Sequence, residues 1–296
     1  MERLTENKNI GLPKKIHRRF DMTICIATIC DGGEHIIMMT DAMITGKHLS
    51  IEFEHKRPKI TIMANNCAVA TAGDALAHTE LFEEVREEID KLKRPKVSNV
   101  VKCIKECFVK LRQKEIMERI LNPRGIPDIQ TFYRMQQSLQ REVSLTLQGM
   151  IDKYDYGLEI LVSGVDGTGA HIHGVFNPGT SVAFDSIGYH AIGSGYPHAI
   201  TSLIANDFNQ DIPLAQALLM TYEAKKISER APGVGANITN IAIINSKRVK
   251  QFSLNEVQEL DEVLGKKIAS EREWRKEKKW EEELEKLISN KDQEGG

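Results

Sequence analysis

The chain has 296 residues, 41% of them apolar and 28% charged, enough to bury a sizeable core in one large domain or two modest ones. A formal net charge of −2 argues against a nucleic-acid binder, which carries a basic excess, and no apolar run approaches the roughly 18 residues that span a bilayer.

Residues 1–22 include Lys14, Lys15, Arg18 and Arg19 but no apolar core behind them, so they are read as a leader or a misassigned start rather than a secretory signal. Residues 23–29 are mostly β-branched or small, Asp31-Gly32-Gly33 makes a turn, and residues 35–40 read as the returning strand of a hairpin. A second strand pair is expected at 59–63 and 67–72 around Asn65-Asn66. From Ala75 the period changes: Leu76, Leu81, Val85 and Ile89 fall at helical spacing among acidic residues as far as Leu92. Pro95 breaks that helix. Further helices are expected at 97–121, stopped by Asn122-Pro123-Arg124-Gly125, and at 128–153. Strands return at 157–165, 171–177, 182–184 and 189–192, followed by helices near 197–209 and 213–229 and by strands at 237–244 and 249–252. Residues 254–296 form a charged helix and tail, in which Trp274 and Trp280 interrupt the charge run of 271–286. They read as a solvated helix or as a packing surface for a partner.

The order of strands, helices, strands, helices and strands suits an α+β fold with two antiparallel sheets between helical layers, and lacks the βαβα alternation of a doubly wound sheet. The domain proper is expected at 23–253, with a helical segment at 75–153. Cys25, Cys30, Cys67, Cys103 and Cys107 form no CxxC pair, so they are read as reduced packing residues of a cytoplasmic protein.

General catalytic motifs are missing: there is no P-loop, GxSxG or HExxH. His171 and His173 would share a strand face, and an isolated HxH is read as packing, so neither metal nor cofactor is expected. What stands out is a set of residues at strand ends. Thr23 opens the first strand, Asp41 closes the second, Lys59 begins the third, and Thr71-Ala72-Gly73-Asp74 ends the fourth at a helix start. Ile192-Gly193-Ser194-Gly195 precedes a later helix, and Gly233-Val234-Gly235 precedes the last long strand.

In order and spacing this set resembles the proteasome β-subunit family and its bacterial ring-protease relatives, among the N-terminal nucleophile (Ntn) hydrolases. The resemblance runs from Thr23 to about Phe252, and the interval from Lys59 to Gly73 matches the family's lysine-to-glycine spacing without a gap. It implies a four-layer αββα sandwich and a threonine-type peptidase in a homo-oligomeric ring, acting on a peptide or protein with or without an unfolding ATPase as partner. Thr23, once freed, would be the nucleophile and its own α-amine the base, because an amine of pKa roughly 7.7–8.0 is partly neutral near pH 7 and an amide nitrogen is not a base. Lys59 would lower the hydroxyl pKa, Asp41 would hold Lys59, the Gly73 N–H would form the oxyanion hole, and Ser194 would complete the network around the amine. Arg57, Thr71 and Ala75 would line the substrate pocket. Two positions depart from the family. Ala231, Val234 and Gly235 stand where an aspartate and a Ser-Gly are usual, with Glu229 nearby, and Met22 replaces the glycine that ends the usual leader. A catalytically inactive structural subunit and an Ntn amidohydrolase of a small amide are the competing readings.

Overall fold

A computed structural model describes residues 23–46, 51–54, 58–74, 77–92, 95–276, 280–281 and 284–285; the leader at 1–22 lies outside them. Strands β1 (Cys25–Cys30) and β2 (His35–Asp41) form the expected hairpin across Asp31-Gly32-Gly33. A two-stranded ribbon follows, β3 (Met43–Gly46) with β4 (Ile51–Glu54), and then the pair β5 (Thr61–Ala64) and β6 (Cys67–Gly73). Helices α1 (Ala77–Asp90) and α2 (Val97–Ile116) come next, α2 running on through a π-helical turn at Met117–Leu121.

The single helix expected at 128–153 is two, α3 (Ile129–Met135) and α4 (Arg141–Asp152). No proline or glycine marks the break. The Met135 carbonyl takes the Ser138 N–H (2.9 Å), the Leu139 N–H (3.1 Å) and the Ser138 hydroxyl (2.8 Å), which ends the ladder locally. Beyond it lie β7 (Leu158–Asp166), β8 (Gly169–Phe176), β9 (Thr180–Ala183), β10 (Tyr189–Ile192), α5 (Tyr196–Ala205), α6 (Leu214–Ser228), β11 (Thr239–Ile244), β12 (Val249–Gln251) and α7 (Leu254–Lys276).

Two antiparallel five-stranded sheets result, in the orders β10-β1-β2-β11-β12 and β5-β6-β7-β8-β9. Their facing residues form one cluster: Cys25, Ala27, Ile29, Ile36 and Met38 from the first sheet meet Ala68, Ala70, Ala72, Leu161 and Ile172 from the second. Strict alternation sends the intervening residues outward. Ile24 and Ile26 pack under α5 and α6, while Val69, Val162 and Val175 pack under α1 and α2. The molecule is therefore an α+β sandwich, with helices on both outer faces. Helix α7 belongs to this body: Leu260 and Leu264 are buried in the α5–α6 core, and Tyr222 donates to Asp261 Oδ1 (2.9 Å). No described helix is long and apolar enough to cross a membrane.

Candidate active site

Thr23 sits just ahead of β1, the strand paired on both sides by β10 and β2, and is almost fully buried. Its main chain is held from the β10 side. Gly195 N–H donates to Thr23 O (3.2 Å), the Ser194 hydroxyl donates to the same oxygen (3.4 Å), and Thr23 N–H donates to Ser194 Oγ (3.4 Å). Such a close approach needs glycine at position 193. Its φ is +89°, and a Cβ there would lie 2.4 Å from Thr23 O.

The side chain meets the two sequence-predicted charges. Thr23 Oγ1 donates to Asp41 Oδ1 (2.5 Å), and the Lys59 ammonium donates to Thr23 Oγ1 and to Asp41 Oδ1 (2.7 Å). Asp41 has no exposed side-chain surface and accepts two main-chain donors as well, Ile24 N–H at Oδ1 (3.3 Å) and Gly235 N–H at Oδ2 (2.9 Å). A buried carboxylate with four donors is fully compensated. Lys59 lies two residues before β5, in a bend rather than in the strand where its sequence context puts it, and this lets its side chain point across the sheets. It therefore places a positive charge on the hydroxyl oxygen, where an alkoxide would develop.

The second sheet contributes the floor. The Cys25 thiol donates to Thr71 O (3.4 Å), which ties β6 under β1. Burial pushes the Cys25 thiol far up, against the opposing pull of Lys59, so Cys25 is a packing group and no competing nucleophile. Two residues on, Gly73 ends β6 at φ +121°, and a Cβ there would lie 2.1 Å from Gly157 O. No side chain is tolerated at that junction. Arg57 and Ala75 lie outside the described residues.

At the departure from the family pattern, Gly235 reaches Asp41 through its main chain, whereas Ala231 and Val234 add only apolar surface to the α5–α6 core. Glu229 does not reach Thr23: its carboxylate is held by Lys225 (2.5 Å) and Lys226 (2.9 Å). Lys225 was not evident from the sequence. It is fully buried, donates to Gly235 O (3.2 Å), and is drawn below the ordinary lysine range by burial, with Glu229 and Asp41 opposing. The loop that serves Asp41 is thus fixed from beneath by a buried ammonium. Two further groups near the site also escape a sequence reading. Glu159 Oε2 accepts Gly193 N–H (3.0 Å), and His78 on α1 feels Lys59, its pKa lowered first by burial and then by that charge. Glu159 had one signal, an acid directly beside the apolar run Ile160-Leu161-Val162 of β7.

Asp41 and Lys59 are therefore assembled around the Thr23 hydroxyl and Ser194 around the Thr23 main chain, while Thr71 and Gly73 lie on the adjoining strand. No protein-family model matches the chain, and no curated protein matches it.

Proposed function

We propose that the chain is a proteasome-like Ntn hydrolase, a threonine-type peptidase armed by release of Thr23 as the first residue. The observation that carries this reading is the contact of Thr23 Oγ1 with both the Lys59 ammonium and the buried Asp41 carboxylate. With Met22 attached, the Thr23 nitrogen is an amide and cannot serve as the base. Once freed, it takes the Oγ1 proton, and the oxygen attacks the scissile carbonyl carbon while Lys59 offsets the growing negative charge. The Gly73 N–H is assigned to the oxyanion. The amine returns the proton to the leaving nitrogen, an ester to Thr23 forms, and water activated by the same amine releases the acid. A peptide or protein substrate, a cytoplasmic setting and a homo-oligomeric ring belong to this reading.

Intact mass and multi-angle light scattering test it together. An active preparation is expected to begin at Thr23 and to run as a closed oligomer. Thr23→Ala is expected to abolish peptide hydrolysis with the oligomer unchanged. Hydrolysis surviving in that variant would exclude Thr23 as nucleophile. A second reading, an inactive structural subunit, is favoured by one feature: Ala231 stands where the family places a carboxylate near the amine, and the nearby Glu229 is committed to Lys225 and Lys226. Retention of residues 1–22 in purified, inactive oligomer would select it.

A further inference from the structure

The sequence offers His171 and His173 only as an isolated pair on one strand face. The fold adds a third donor from a different segment. His171 and His173 point from β8 to the α2 side of the second sheet, since Ile172 between them belongs to the inter-sheet core and Val175, two residues on, to the α2 core. Asp185, in the turn after β9, is brought beside them. Phe184 N–H donates to Ile172 O (2.8 Å), Ile172 N–H donates to Asp185 Oδ1 (2.8 Å), and Gln210 Nε2 holds Asp185 O (2.7 Å). One donor atom from each of His171, His173 and Asp185 lies within 4.8 Å of the other two.

The hydrogen bonds around His171 have the form that metal-bound imidazoles use. Its Nδ1 faces Asp185 Oδ2 (2.8 Å), and its Nε2 faces Thr168 Oγ1 (2.8 Å). Thr168 in turn donates from its hydroxyl (2.5 Å) and its N–H (2.8 Å) to Asp166 Oδ1. A ring fixed through one nitrogen by a carboxylate-backed hydroxyl presents the other to an ion. Hydrogen bonding alone accounts for His171. It does not account for His173, which is half-buried and whose ring nitrogens have no hydrogen-bond partner among the described residues.

We propose that His171 Nδ1, His173 and Asp185 Oδ2 bind one divalent first-row transition ion of the zinc class on the α2 side of the second sheet. Two imidazoles and one carboxylate select zinc, nickel, cobalt or copper over magnesium and calcium. A tetrahedral ion with bonds of about 2.0–2.1 Å needs donors about 3.3 Å apart, a closure that side-chain rotation supplies. Three protein donors leave one position to water, and the ion links β8 to the β9–β10 connection. The site uses none of the groups around Thr23.

Titration of the full chain with Zn2+ alone, followed by calorimetry and by the shift in melting temperature, tests this. One equivalent is expected, with a melting temperature raised by several degrees under excess ion. His173→Ala, which breaks no hydrogen bond of the described fold, is expected to lower affinity at least tenfold while the ion-free protein melts as before. Thr168→Ala is expected to lower it about 10–100-fold through His171 alone. X-ray absorption at the zinc edge of the wild-type chain supplies a readout independent of any variant, and a nitrogen and oxygen shell with two imidazoles is expected. A sulfur-containing shell, less than about 0.2 equivalents bound, or unchanged affinity in His173→Ala would each overturn the site.

Discussion

An unpaired ammonium in the apolar core of a small protein costs several kcal/mol, so a fully buried lysine must be matched by close partners. Lys225 has two, the Glu229 carboxylate and the Gly235 carbonyl, and Gly235 in turn donates to Asp41. This chain connects the lysine to the Thr23 hydroxyl through two residues, the loop glycine Gly235 and then Asp41. Lys225→Met keeps the volume and removes the charge. Because Lys226 still neutralises Glu229, the expected stability loss is about 2 kcal/mol, read from urea unfolding. If Lys225 positions Asp41 through Gly235, peptide hydrolysis should fall mainly in kcat with KM little changed. The sequence hides this residue inside a Lys225-Lys226 pair that looks solvated. Only the spacing of small buried residues, Ala217, Thr221, Ala224 and Ser228, puts position 225 on the inner stripe of α6. Thr23, Asp41, Lys59, Gly73 and Ser194 are legible only jointly, through their order and spacing around the expected strand ends, and Lys59 itself proves to lie in a bend two residues before β5. Asp185 is not legible as a partner of His171 and His173, since what joins them is a turn closed by main-chain bonds that leave no pattern in the sequence.

At the scale of elements, turn chemistry and hydrophobic period locate the strands of both sheets and α1, α2, α5 and α6. They miss features with weak local signals: the short β3–β4 ribbon, and the break between α3 and α4, made by a serine hydroxyl rather than by proline or glycine. Helix α7 changes character along its length. The charge run that begins at 271 is exposed through 276, Trp274 included, whereas ahead of it Leu260 and Leu264 are buried four apart on one face, and Lys267 pairs with Glu223 of α6 (2.5 Å). Leu264→Ala is accordingly expected to cost about 2–4 kcal/mol in urea unfolding, as a core substitution does, whereas a solvated position would lose less than about 0.5.

At the scale of the whole molecule, aromatic rings from both sheets meet at the β10 edge. His190 of β10 stacks on Phe184 (ring centroids 3.6 Å apart) and stands edge-on to Phe176 of β8 (6.2 Å). Burial lowers its pKa from 6.5 to about 4, so between those values the unfolded chain binds a proton that the folded one does not. Stability should therefore be full above about pH 6.5, fall as the pH drops toward 4, and change no further through this group below that. His190→Phe is expected to flatten the decline between pH 7 and pH 5 in urea unfolding; an unchanged slope would remove His190 as its source.

The position of Thr23 ahead of β1 has a consequence for timing. The first paired residue of that strand is Cys25, matched to Thr40 on one side and Ile192 on the other, and Thr23 itself is anchored through its own carbonyl. Cutting the chain before Thr23 therefore removes no rung that the described residues form in either ladder. Under the proposed release of Thr23, folding and arming would be separate events: the sandwich can be complete before the amine exists. Because a hydrolysed peptide bond does not re-form in water, the step runs one way, like a safety catch that can be released but not reset.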